Sequence, residues 1–225
     1  QVVVPEQVCC GRPLISKGML DAAQQQAART TATLFPLVAQ GIPILFCEPG
    51  CYSAVVDDHP HLLRGAEKER AIQVANHCQT FEQWAATTYL TLEPNFQFST
   101  GPEQILVHGH CHQKALTGTR SMVELLNAIP GSTVTELDTG CCGMAGSFGY
   151  EREHFDVSHK IGRQKLFPAI EGSLTNQPDA PASCVVAPGF SCRQQIAHFT
   201  AATPVSPAHL LASLLPDENQ QGLPH

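Results

Sequence analysis

Charge is scarce in this 225-residue chain: Asp, Glu, Lys and Arg together make up 15% of it, against about a quarter in an average soluble domain. Basic residues are scarcer still, 13 against 20 acidic ones, for a net charge of −7. That lacks the positive footprint a phosphate backbone demands, so nucleic acid is excluded as a partner. Disorder is excluded by the same arithmetic, because 43% of the chain is hydrophobic. No stretch reaches the roughly 18–20 apolar residues of a membrane-spanning helix. Residues 1–30 have no basic start, and Val2–Val4 is too short for a secretory h-region. A cytoplasmic chain with reduced cysteines is therefore expected, with peripheral attachment at the inner face of a membrane still open.

What the sequence has in excess is cysteine, ten residues. The length allows one large domain or two small ones, and a core that needs no disulfide staples. The thiols are expected to bind something or to be redox-active. The chain opens Gln1-Val2-Val3-Val4-Pro5. Val2–Val4 reads as a buried strand, and a chain that opens inside a core strand reads as part of a longer polypeptide.

An internal repeat organises the rest. Cys9-Cys10-Gly11 recurs 132 residues later as Cys141-Cys142-Gly143, and Leu34-Phe35-Pro36 recurs at the same offset as Leu166-Phe167-Pro168. The segment between each pair has helical spacing, at Met19, Ala22, Ala23, Ala27, Thr30 and Leu34, and at Phe155, Val157, Ile161, Leu166 and Ile170. A buried strand follows in each copy, Ile42–Phe46 and Cys184–Ala187. Each strand leads to Pro-Gly and a cysteine, Pro49-Gly50-Cys51 and Pro188-Gly189-Phe190-Ser191-Cys192. The second copy is longer by the loop 172–182, where insertion is cheap.

Between the copies, 66–78 reads as a helix that carries Cys78. Thr80-Phe81-Glu82-Gln83 reads as a capping box opening a helix with Phe81, Trp84, Ala85 and Thr88 on one face. Ile105-Leu106-Val107 is a short strand, 119–127 a helix with Met122, Leu125 and Leu126 inward, and 133–137 another strand. Strand and helix alternate, which points to an α/β fold with parallel strands. We expect two pseudo-repeated lobes, each a small, mainly parallel sheet with flanking helices. They would span 1–95 and 96–215, with a disordered tail at 216–225.

In such a fold the C-terminal strand ends share one edge of the sheet, where ligands gather. Cys111, Cys141, Cys142 and Cys192 all sit just past strand ends. Four thiolates suit an iron–sulfur cluster or a zinc ion. Adjacent cysteines chelate one zinc awkwardly, because successive side chains diverge. A cluster of several irons accepts both. Gly143 lets the backbone turn tightly and offer N–H groups to sulfur. Cys9, Cys10 and Cys51 are the matching candidates in the first copy, with Cys47 ambiguous. Its equivalent of Cys111 would fall before residue 1, so a structural, zinc-bound or empty site is open there. Cys78 and Cys184 read as small core residues, and a vicinal disulfide at Cys141–Cys142 would be strained.

The histidines compete. His108, His110 and His112 alternate, so on a strand they would share one face and could hold a metal as in a metallohydrolase. No acidic base lies near them, and Cys111 sits in their midst. We read His110 and His112 as residues that support the thiolates, with Lys114 offsetting their charge.

These motifs resemble the cysteine-rich CCG domain found in heterodisulfide reductase, in iron–sulfur subunits of glycolate and glycerol-3-phosphate dehydrogenases, and in lactate-utilisation proteins. The resemblance is strongest to the C-terminal part of fused FAD-linked D-2-hydroxy-acid dehydrogenases with iron–sulfur centres. It rests on Cys9–Leu14, Glu48–Cys51, His108–Ala115, Cys141–Glu151 and Phe190–Ile196. It implies a 4Fe-4S electron-transfer domain of an oxidoreductase acting on lactate, glycolate or 2-hydroxyglutarate. The implied partners are an FAD-binding dehydrogenase domain or subunit, a ferredoxin-like segment, and a quinone or cytochrome as acceptor. Neither the FAD domain nor a ferredoxin cysteine run lies in these 225 residues, and the repeats end in single cysteines where heterodisulfide reductase has Cys-x-x-Cys. The alternatives are a zinc-stabilised, non-catalytic interaction module, with zinc in the first lobe, and a cluster that reduces disulfides directly.

Overall fold

The computed structural model describes residues 2–5, 9–92, 97–174 and 182–216. The chain forms two compact units, residues 1–81 and 82–225. The expected tail and most of the insertion loop fall outside the described residues.

The first unit runs α1 (Arg12–Ser16), α2 (Leu20–Val38), β1 (Ile44–Phe46), α3 (Pro49–Ser53), a π-helical turn (Ala54–Asp58), α4 (His59–Leu62), α5 (Gly65–Ala75) and β2 (Cys78–Thr80). α2 forms on the expected spacing: Ala23, Ala27, Thr30, Thr31, Leu34 and Val38 are buried on one face. β1 and β2 pair in parallel, Ile44 opposite Cys78. Leu34, Val38, Tyr52, Val55, Val74, Cys10 and Cys78 form one core cluster.

The second unit carries α6 (Phe81–Leu92, which opens at the unit boundary), β3 (Gln104–Val107), α7 (Cys111–Leu116), α8 (Arg120–Asn127), β4 (Thr133–Glu136), a 3₁₀ turn (Phe148–Tyr150), α9 (Phe155–Ser173), β5 (Ser183–Val186), α10 (Phe190–Phe199) and α11 (Pro207–Ser213). Its sheet has the order β4-β3-β5, all parallel. Ile105, Leu106 and Val107 of the central strand are fully buried, as a strand covered on both faces must be. At about 1.5–3 kcal/mol for each such side chain, they anchor the sheet. Met122, Leu125 and Leu126 of α8 are inward as expected. A parallel bridge from Val186 to Val205 adds a further strand-like segment before α11. The repeat therefore extends beyond the tripeptides: in each unit a Cys-Cys-Gly turn, a long helix, a parallel strand and a helix bearing a further cysteine follow in order.

Three local expectations are corrected. Val2, Val3 and Val4 are 88%, 52% and 77% exposed and not in a strand; no strand among the described residues pairs with them, and an unpaired run cannot bury itself. Cys78 leaves the helix, which ends at Ala75, because the His77 carbonyl accepts from the Ile44 N–H and Cys78 opens β2. On α6 the small residues Ala85 and Ala86 are buried with Glu82, whereas Trp84 is exposed; small side chains permit close approach where an indole does not. Among the described residues no helix is long and apolar enough to cross a membrane.

Candidate metal centre

The sheet of the second unit places its thiols. Val107 of β3 aligns with Glu136 of β4 and Val186 of β5, so the three strands end level at one edge. Beyond β3, Cys111 is the first residue of α7. Beyond β4 come Cys141 and Cys142. Beyond β5, Cys192 lies in the first turn of α10. These thiols form a chain of hydrogen-bonding neighbours: Cys111 with Cys141, Cys141 with Cys142, and Cys142 with Cys192. None is in a disulfide.

Protons are shared unequally along this chain. Hydrogen bonds from Cys111 and Cys142 hold Cys141 well below the ordinary thiol range, helped by the Gly143 N–H, which donates to its sulfur at 3.3 Å. Cys192 is lowered to about 6, first by its bond with Cys142 and then by the imidazole of His108. Cys111 and Cys142 are raised, because each donates to a neighbouring sulfur and burial disfavours its charge. Two of the four, Cys141 and Cys192, are thus shifted toward thiolate, and the other two toward thiol. Cys142 and Cys192 are buried, Cys141 is half-buried and Cys111 exposed.

Among the described residues, no group of three or more His, Cys, Asp or Glu side chains is arranged to hold a metal ion. The donor set itself fits an iron–sulfur cluster: soft ligands, partly ionised, with a backbone N–H aimed at sulfur.

The first unit repeats half of this. The Gly11 N–H donates to Cys9 at 3.4 Å, as Gly143 does to Cys141. The sulfurs of Cys10 and Cys51 lie 3.2 Å apart, as the second cysteine of the other pair meets Cys192. That bond lowers Cys10 to about 6 and raises Cys51. Arg12 reaches from the motif to the Ser53 hydroxyl at 2.9 Å and pairs with Asp58 in the π-helical turn. Buried His59 donates through Nε2 to the Cys10 carbonyl at 2.9 Å, and burial holds its pKa down.

The histidines do not share a strand face, which corrects the alternation reading. β3 ends at Val107, and the chain then turns into α7. Buried His110 caps that helix, its Nδ1 accepting from the His112 N–H at 3.2 Å. It packs so tightly on Gly189 that a Cβ there would meet its ring at 2.2 Å. His112 stands beside it, ring centroids 5.3 Å apart. Lys114 donates to the Thr139 carbonyl at 2.7 Å. Gly143 has φ +96°, a left-handed conformation.

The remaining thiols separate from these sets. Cys78 is buried and donates to the Val74 carbonyl at 3.1 Å. Cys184 lies within β5 opposite Ile105, and Cys47 is exposed. Sequence reasoning passed over His108 as a neighbour of the thiols: it is 1% exposed, and its Nδ1 lies 2.8 Å from the Thr139 hydroxyl. Its position directly after a fully buried strand was the available signal.

The profile of the CCG family, described as a cysteine-rich domain, matches residues 1–55 and 105–197. One of the subunits of the anaerobic glycerol-3-phosphate dehydrogenase of Escherichia coli (strain K12) is 30% identical over 214 residues, 95% of this chain and 51% of that protein. D-2-hydroxyglutarate dehydrogenase of Pantoea ananatis (strain AJ13355) is 24% identical over 80% of this chain and 16% of its own length. Lactate utilization protein A of Bacillus cereus (strain AH187) is 24% identical over 83% of this chain and 76% of its own. The chain spans about half the length of the Escherichia coli relative. Both Cys-Cys-Gly motifs and both Pro-Gly-to-cysteine segments fall inside the matched residues, and the chain belongs to the CCG cysteine-rich domain family.

Proposed function

We propose that this chain is an iron–sulfur electron-transfer domain of a dehydrogenase, with Cys111, Cys141, Cys142 and Cys192 as ligands of a 4Fe-4S cluster. The observation that carries the reading is the meeting of these four thiols at one edge of a parallel sheet. Such a cluster supplies one-electron storage and transfer when bound. The protein's own part is to hold the sulfurs and set their surroundings. Gly143 offers its N–H to Cys141, and buried Cys142 and Cys192 fix the dry side of the site. Exposed Cys111 marks the side open to a partner.

Cys9, Cys10 and Cys51 form the corresponding ligand set of the first unit, where a zinc ion is the single-metal alternative. The names of the relatives support a dehydrogenase acting on a 2-hydroxy acid or glycerol-3-phosphate as the source of electrons, and on this reading that partner is FAD-linked. A quinone or cytochrome at the inner face of a membrane is the acceptor on this reading. His110, His112 and Lys114 hold the loop that carries Cys111 and the segment before Cys141. The test is anaerobic reconstitution followed by iron and acid-labile sulfide assays and electron paramagnetic resonance. Near-equal iron and sulfide with a reducible cluster signal is expected. About one zinc per chain with neither iron nor sulfide would replace this reading with the zinc module.

A further inference from the structure

His108 is buried in the second unit, yet neither hydrophobic packing nor the sheet needs an imidazole there. Its backbone N–H donates to the Val186 carbonyl at 2.9 Å, continuing the β3–β5 ladder one residue past the strands. The side chain is therefore fixed at the sheet edge where the thiols gather. Its Nδ1 lies 2.8 Å from Thr139 Oγ1. Thr139 is itself held in place, 5% exposed, with Lys114 Nζ on its carbonyl at 2.7 Å. The other ring nitrogen, Nε2, is buried and has no partner of ordinary hydrogen-bond geometry. A buried polar atom left so is costly, and a reason for it is expected.

The Thr139 hydroxyl has one proton and two acceptors within reach. The Leu137 carbonyl is 3.5 Å away, at the limit of a hydrogen bond, while His108 Nδ1 is at 2.8 Å. The shorter contact takes the proton. Nδ1 then accepts, and the ring's own proton lies on Nε2. We propose that His108, held in this tautomer by Thr139, is a positioning residue of the metal centre that donates its Nε2–H to the sulfur of Cys192. The influence of the imidazole on both Cys192 and Cys141 places it on the side of those sulfurs. A donor aimed at a ligand sulfur stabilises the reduced, more negative form of a cluster and raises its potential. The inference rests on the metal-centre reading above, but its first test does not need the metal.

In the iron-free full chain, ¹⁵N nuclear magnetic resonance of the His108 ring should show the Nε2–H tautomer. The Nδ1–H tautomer overturns the proposal. In the reconstituted chain, His108→Leu and Thr139→Val should each lower the midpoint potential. The expected change is about tenfold in the reduction equilibrium, about 59 mV for one electron. His108→Gln, which keeps an N–H, should recover most of the loss. Thr139→Val removes only a hydroxyl, so it stays informative should His108→Leu fail to fold. Unchanged potentials in Thr139→Val and in any folded His108→Leu overturn the proposal, as does a His108→Gln no better than His108→Leu. If the wild-type chain takes no iron, the metal reading fails and the tautomer alone decides the donor assignment.

Discussion

A Cβ placed on Gly143 would fall 2.1 Å from the carbonyl oxygen of Ser158, so the second Cys-Cys-Gly motif and helix α9 touch backbone to backbone. The Gln195 amide closes the same spot at 3.2 Å and also donates to the Ser158 hydroxyl at 2.9 Å. Gly143 therefore meets two demands at once, a left-handed φ of +96° and no room for a side chain. Gly11, its repeat partner, meets only the first: φ is +80°, and the nearest atom to a Cβ is Gln26 Cγ at 3.5 Å.

The two glycines should respond differently to alanine. Gly11→Ala is expected to cost about 1–2 kcal/mol, the penalty of a left-handed L-residue. Gly143→Ala is expected to cost more than about 4 kcal/mol, since backbone must move. Urea denaturation midpoints of the two variants check this, and equal losses would refute the packing argument.

Ligand assignment has a direct contrast within the cysteines. Cys142→Ser and Cys192→Ser should each abolish or sharply reduce iron incorporation. Cys184→Ser, within β5, should leave iron and sulfide per chain unchanged. Iron loss in all three variants alike would assign it to folding rather than to ligation, and retention in Cys142→Ser would remove that residue from the ligand set.

Burial pushes the Cys78 thiol from 9.0 up to about 12. Because the folded value lies above the unfolded one, the folded state retains the proton at pH values where the unfolded chain loses it. Stability is therefore intact below about pH 9 and declines from there toward 12. Cys78→Ala should flatten this alkaline limb in denaturation experiments. At neutral pH, iodoacetamide should modify the exposed Cys9 and Cys47 of the metal-free chain and spare Cys78, whose thiol is held protonated, until the chain unfolds; mass spectrometry of the labelled peptides reads this out.

Arg12 joins the first Cys-Cys-Gly motif to the π-helical turn through Ser53 and Asp58. Both charged side chains are about three-quarters buried, at 21% and 25% exposure. Arg12→Met keeps the stem and removes the charge, leaving the Asp58 carboxylate unpaired. A loss of about 1–3 kcal/mol is expected, and Arg12→Met with Asp58→Asn should recover part of it. A double-mutant cycle with no coupling would show that the pair does not hold the motif to the turn.

Much of the fold was legible because its signals are local. Ala23, Ala27 and Leu34 repeat at the helical period, and Ile105-Leu106-Val107 is an apolar run too short for anything but a buried strand. β2 was missed because three residues, Cys78-Gln79-Thr80, carry no periodicity; their state is decided by β1 alongside them. The π-helical turn was missed for a similar reason, since Ala54–Asp58 has no composition that separates it from an α-helix. The candidate thiols could be grouped because the repeat marked them at strand ends. His108 could not be assigned, since its neighbours Thr139 and Cys192 lie 31 and 84 residues away in the chain.

The sequence by itself determined the repeated frame: two Cys-Cys-Gly turns, two helices that carry Leu-Phe-Pro in their C-terminal halves, and two strands leading to Pro-Gly and a cysteine. These follow from backbone preferences and hydrophobic spacing, which act over a few residues. Only the tertiary structure decided which sulfurs meet, which of them carries the proton, why Gly143 tolerates nothing larger, and which histidine lies beside the thiols. Those properties depend on parallel strands ending level at one sheet edge, and on the burial that makes a hydrogen bond or a charge there matter.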